Sequence, residues 1–174
     1  FPPLHTGTLG ERPPPTDLSI ILSVGASLFD DRFGLADAKP TQLERMPFLA
    51  NDRLQPELSH GDVLLTISAD TPDATLFAVR QMLRQVRSSM ILEWMVEGFN
   101  RHEGAGPGRA PARNLLGFKD GTANLDPQAD EVMDEHVWVA EGDDEPAWAV
   151  GGSYHAVRTI RMFVEFWDRT PLVE

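Results

Sequence analysis

The chain has 174 residues, with 15 Lys+Arg against 27 Asp+Glu and a formal net charge of −12. A surface this acidic repels phosphate backbones and anionic lipid, which argues against a nucleic-acid or membrane-surface partner. The 41% apolar content suits a packed core of one ordinary domain or one and a part, and the absence of cysteine excludes disulfides and every metal–thiolate centre. No apolar run approaches the roughly 18 residues of a membrane-spanning helix. The chain opens on Phe1, not Met, so any targeting segment is expected to lie outside it.

Residues 1–16 hold Pro2, Pro3, Pro13, Pro14 and Pro15 and read as an extended lead-in. Residues 18–24 form a short, nearly continuous apolar run that predicts a buried strand. Residues 26–58, with Asp30, Asp31, Pro40, Pro47 and Pro56, predict a loop with short helical turns. Val63, Leu65 and Ile67 then alternate with Leu64, Thr66 and Ser68, the period of a second strand. A helix should follow, with Thr71 as N-cap, Pro72 at the first helical position and Asp73 at the positive end of the dipole. Leu76, Val79, Leu83 and Val86 recur at helical spacing along it, leaving Arg80, Arg84 and Arg87 for solvent. A further strand is expected over 90–96, with Met90, Leu92, Trp94 and Val96 on one face.

The order strand, loop, strand, helix, strand is that of a ferredoxin-like βαββαβ unit without its opening strand and helix. The Gly- and Pro-rich stretch 104–111 predicts a linker. Beyond it, the pattern predicts a short helix over 127–134 and a strand near 137–140. A long strand over 153–167 would begin a second sheet, and a helix would start at 172–174.

The chemistry concentrates in Arg113-Asn114-Leu115-Leu116-Gly117-Phe118-Lys119-Asp120-Gly121-Thr122-Ala123-Asn124. One acid, Asp120, stands between two glycines in a Gly-x-x-Asp-Gly frame, where backbone can approach a bulky ligand closely. Read alone, the frame is also ordinary turn chemistry, since Asp-Gly favours turns. Asn124 could pin the loop by a side-chain hydrogen bond.

Other ordered stretches accompany this motif. They are 23–30 (Ser-Val-Gly-Ala-Ser-Leu-Phe-Asp) with Arg32-Phe33-Gly34-Leu35, then His60-Gly61-Asp62-Val63-Leu64-Leu65. Pro146-Ala147-Trp148 follows, leading into Gly151-Gly152-Ser153-Tyr154, and last comes Arg158 through Trp167-Asp168-Arg169-Thr170-Pro171-Leu172. Together they resemble the dye-decolorizing peroxidases, and most closely the secreted, iron-uptake-linked, deferrochelatase-like branch. Several ordered motifs are far more specific than a lone Gly-x-x-Asp-Gly.

The resemblance implies an α+β, ferredoxin-like fold of the dimeric α+β barrel type. It divides the chain into an N-terminal half at 1–103 lacking its first strand and helix, a linker and distal loop at 104–126, and the start of a second half at 127–174. It implies a haem-dependent peroxidase that uses hydrogen peroxide to oxidise dyes, phenolics or haem-related substrates, with release of iron from haem as a further role in that branch. Asp120 would be the distal acid–base residue, and Gly121, Thr122 and Ala123 would contact haem b through their backbone. The proximal histidine and a distal arginine are expected from a segment outside this chain, so no residue here is assigned to the iron. A fragment without them is expected to be inactive alone, and its exposed strand edges should be covered by the remaining segments of the same protein or by other copies. The branch further implies export to the periplasm or beyond by a twin-arginine signal.

Three features read more plainly. His155, after Gly-Gly-Ser-Tyr, is a surface or locally bonded histidine and not an axial ligand. Trp94, Trp138, Trp148, Trp167 and Tyr154 are packing aromatics first and carriers of oxidising equivalents second. Glu141, Asp143, Asp144 and Glu145 lack the spacing of a calcium loop and read as a solvated turn. The competing function is a non-catalytic ferredoxin-like module that binds a partner or small ligand through its sheet.

Overall fold

The computed structural model describes residues 17–99, 113–114, 116–119 and 124–171. The chain divides into two units, Phe1–Val96 and Glu97–Glu174.

In the first unit, β1 (Ser19–Val24) pairs antiparallel with β2 (Val63–Ser68), in a register running from Ser19 opposite Ser68 to Val24 opposite Val63. The long connection between them is loop with short 3-10 turns at Ala26–Phe29, Ala36–Ala38 and Pro56–Leu58, as the proline content predicts. The ladder closes on a corner built of small residues. Gly25 N–H donates to the Asp62 carbonyl at 2.9 Å, and a Cβ at Gly25 would collide with the Gly61 carbonyl oxygen. His60 and Gly61 turn the chain there with φ of 68° and 141°.

Helix α1 (Pro72–Val86) begins as the sequence predicts. Thr71 caps it by accepting the Ala74 N–H at 3.4 Å, and Pro72 sits where a missing N–H is harmless. The buried face differs from the expected one. Ala74, Ala78 and Gln81 are the buried residues, and small side chains let the helix lie close to its neighbours. At 3.6 residues per turn, Leu76, Val79, Leu83 and Val86 fall on the opposite side, where Leu76 is exposed and the other three are half-buried. The apolar stripe is therefore a second face, not the inner one.

The expected strand over 90–96 is absent. Met90 N–H still bonds back to the Val86 carbonyl at 2.8 Å, but residues 91–96 make no backbone hydrogen bond to any described residue. The segment joins no ladder among the described residues, and Ile91 is 95% exposed. A side chain ties it to the turn before β2: Trp94 Nε1–H donates to the His60 carbonyl at 2.8 Å. The apolar run of β1 is likewise not buried, with Leu22 67% exposed.

In the second unit, α2 spans Asp130–His136, three residues later than the predicted start. Asp126 takes the preceding residues into a turn, its Oδ1 accepting the Gln128 N–H and its carbonyl accepting the Ala129 N–H, each at 3.0 Å. The strand expected near 137–140 is replaced by a turn and two bonds, Val139 N–H to the Gly152 carbonyl and Gly151 N–H to the Val139 carbonyl, both 2.9 Å. The long strand expected over 153–167 is also absent. Residues 153–163 join no ladder among the described residues, and Val164–Asp168 form a short helix, α3. Phe163, Phe166 and Trp167 sit at i, i+3 and i+4, a helical spacing that overrides the strand reading, and the Phe163 and Phe166 rings meet edge-on at 6.2 Å. The linker at 104–111 and the helix start at 172–174 fall outside the described residues. Among the described residues no helix is long and apolar enough to cross a membrane.

Candidate active site

The segment that leads into the Gly-x-x-Asp-Gly frame is a tight turn organised by one side chain. Asn114 Oδ1 accepts the N–H groups of Leu116 and Phe118 at 3.0 and 3.1 Å. Its backbone closes the same turn, accepting from Gly117 N–H and donating to the Phe118 carbonyl, both at 2.9 Å. Asparagine suits this role because its short carboxamide replaces a backbone acceptor inside a turn. Gly117 adopts φ of +87°, a conformation that disfavours any residue with a Cβ. Arg113 and Lys119 form an isolated antiparallel bridge across the mouth of the turn, and Arg113 Nη1–H donates to the Gly117 carbonyl.

Asp120, Gly121, Thr122 and Ala123 lie outside the described residues, between Lys119 and Asn124. What is described is the turn that precedes them in the chain. Phe118, two residues before Asp120, stacks obliquely on Trp167 of α3, with ring centroids 4.8 Å apart and planes at 42°. That contact ties the turn to the far end of the unit and is worth about 0.5–1.5 kcal/mol beyond area burial. Asn124 is exposed and bonds to no described residue, so within the described residues the pin of the loop is Asn114. The signal for it was an Asn three residues before a glycine, a turn pattern overshadowed by the motif beside it.

The remaining candidates spread out. His155 is exposed, and His136 lies 4.0 Å from Glu135. No three His, Asp or Glu side chains among the described residues converge as a metal site. In the acidic loop, Asp143 Oδ2 is used locally, accepting the Ala140 N–H at 2.8 Å.

Among the described residues of the first unit, Arg32 organises a charge cluster. Arg32 donates from Nε to Asp30 Oδ2 at 2.8 Å, and from Nη2 to Asp62 Oδ1 at 2.7 Å and to the Ser27 carbonyl at 2.9 Å. The hydrogen bond from Ser27, and then the Arg32 guanidinium, hold the Asp62 carboxyl below its ordinary value. Arg32 is raised in turn by Asp62 and Asp30. The cluster ties the turn after β1 to the start of β2.

The family description "Dyp-type peroxidase, N-terminal" matches residues 1–100, and "Dyp-type peroxidase, C-terminal" matches residues 111–174. The chain belongs to the Dyp-type peroxidase family. Among its relatives is the deferrochelatase of Escherichia coli (strain K12), 50% identical over 100% of this chain and 41% of the relative. The deferrochelatase of Shigella flexneri is also 50% identical, over 42% of its own length. Ferric DtpA from Streptomyces lividans superposes with a TM-score of 0.79 at 35% identity, covering 90% of this chain and 41% of that one. The DyP-type peroxidase from Cellulomonas bogoriensis superposes with a TM-score of 0.76 at 32% identity, covering 88% and 41%. The chain thus spans about two fifths of the length of these Dyp-type relatives. Its fold class is theirs, α+β and ferredoxin-like.

The sequence of the frame, one carboxylate between glycines, is chemically compatible with one side of a haem, and the described residues hold the turn that precedes it and no converging metal-ligand set.

Proposed function

We propose that this chain forms the distal-side part of a haem-dependent peroxidase, with Asp120 as its acid–base residue. The observation that carries the reading is the Asn114-pinned turn that delivers the Gly-x-x-Asp-Gly frame, within a chain matched along both halves by one peroxidase family. When bound, haem supplies the two electrons that break the peroxide O–O bond and is restored by the reducing substrate. Asp120 removes a proton from one peroxide oxygen and gives it to the other, which departs as water. Gly121, Thr122 and Ala123 hold backbone, not bulk, against the cofactor.

The proximal histidine and a distal arginine belong, on this reading, to further segments of the protein. The division into 1–103, 104–126 and 127–174 follows it, with the middle stretch as the distal loop. The exposed faces of β1 and of 90–96 pair with those same segments. Dyes, phenolics and haem-related compounds are the proposed reductants, and release of iron from haem is a further activity of the same pocket. Export in the folded state by a twin-arginine signal is also proposed, and fractionation of cells expressing the natural gene tests it. The non-catalytic alternative is disfavoured because the likeness extends over the whole chain.

The test is Asp120→Asn in the full-length protein. It keeps size and removes proton acceptance, so the peroxide step followed by stopped-flow at the Soret band should slow by about 10²–10⁴-fold. Haem content should stay near normal. An unchanged peroxide step would remove Asp120 from the mechanism and move the proton transfer to the distal arginine.

A further inference from the structure

Helix α1 carries a basic stripe that nothing on the helix neutralises. Arg80, Arg84 and Arg87 are all exposed and fall within about 60° of arc, turned away from the buried Ala74, Ala78 and Gln81. Among the described residues none of the three has a hydrogen-bond or ion-pair partner. The acid of the same helix, Asp73, lies about 10 Å along the axis from Arg80, two turns away. Like charges one turn apart repel, so the stripe is electrostatically unfavourable by itself and an outside carboxylate relieves it. The exposed Leu76 adds an apolar edge beside the arginines.

The complement of this stripe is present in the same sequence. Helix α2 exposes Glu131, Asp134 and Glu135 within about 100° of arc. Glu131 and Asp134 have no partner among the described residues, and Glu135 reaches only the adjacent His136, at 4.0 Å. Glu131 and Glu135 stand one turn apart, about 6 Å along the axis, and so do Arg80 and Arg84. Two such helices side by side set carboxylate against guanidinium in register, a pairing that the arginine fork makes with two parallel bonds. The net charge of −12 on each copy opposes association at a distance. Physiological salt screens that repulsion beyond about 8 Å and acts much less on groups in contact.

We propose that the Arg80, Arg84 and Arg87 face of α1 docks on the Glu131, Asp134 and Glu135 face of α2 in a second copy of this chain. Each copy offers both faces, so two such contacts close a dimer. The contact uses neither haem, peroxide nor Asp120, and its test is independent of the peroxidase reading. The full-length protein at physiological salt is followed by sedimentation velocity over a concentration series. Each substitution acts twice in a symmetric dimer, so Arg84→Glu should weaken self-association about tenfold, and Glu131→Arg by a similar factor. The two reversals combined in one chain should restore it to within about threefold of wild type, because the pair is remade with its signs exchanged. Arg45→Glu, an exposed charge in the connection between β1 and β2, should change nothing. A second measurement needs no reversed charge. In Arg84→Lys, carbodiimide coupling of mixed isotope-labelled and unlabelled copies should join position 84 of one label to Glu131 or Glu135 of the other. A monomer at every concentration, a dimer indifferent to both reversals, reversals that do not rescue each other, or coupling confined to one label would each overturn the proposal.

Discussion

The two units are held by different kinds of bond. The first rests on a ladder between segments some forty residues apart in sequence, closed by a glycine corner and covered by a capped helix. The second, over its described residues, rests mainly on turns: Asn114 over four residues, Asp126 over three, and Val139 against Gly151 and Gly152. A ladder spreads the effect of one substitution along a whole register, whereas a turn confines it. The Gly-x-x-Asp-Gly frame falls, by its place in the sequence, in the unit built of turns.

Four substitutions probe this contrast. Gly25→Ala should have the largest effect on stability. Its new Cβ meets the backbone oxygen of Gly61, so the corner must open, and the loss should reach about 1–3 kcal/mol, spread over β1 and β2. Hydrogen exchange should accelerate along the whole register from Ser19 to Val24. Exchange confined to Gly25 and its neighbours would show that the ladder does not act as a unit. Asn114→Ala should lower stability by about 1–2 kcal/mol for two lost bonds. Here exchange should rise at the Leu116 and Phe118 amides while β1 and β2 keep their protection, and Asn114→Asp should restore most of it.

Thr71→Ala comes next. The cap bond is long at 3.4 Å, so the effect should fall near the low end of the usual range, about 0.5–1 kcal/mol by thermal unfolding. A loss above about 2 kcal/mol would mean that Thr71 does more than cap the helix. The smallest effect belongs to Asp62→Asn. Asp62 has a folded pKa below its unfolded value, so its contribution is complete above about pH 4 and disappears as pH falls through the lower folded value. The stability gap between wild type and variant should therefore narrow on acidification from about pH 5 to pH 2, and a gap that widens would reverse the assignment. The cluster is solvent-screened, which keeps the gap small.

Much of the first unit was legible in the sequence because its signals are local or paired within the chain. Thr71-Pro72-Asp73 marks a helix start whatever surrounds it, and the runs at 18–24 and 63–68 found each other. The segments at 90–96 and 153–163 were also read as strands and form no ladder among the described residues, since a strand is a property of a pair and its partner's groups must be at hand. The inner face of α1 misled for another reason. Large apolar residues mark a face that can be buried, yet close packing selected Ala74 and Ala78. The motif around Asp120 stood out in the sequence, while the Asn114 turn before it needed coordinates, because which backbone amides a carboxamide reaches is not written in spacing.

The bond between Trp94 and His60 has one more consequence. Its acceptor is a main-chain oxygen, an atom that every amino acid supplies, and the histidine ring takes no part in it. What position 60 must provide is a backbone able to rest at φ of 68°, which glycine and asparagine do with less strain. The latch between the 90–96 segment and the entrance of β2 is therefore indifferent to the chemistry of residue 60 and sensitive only to its handedness.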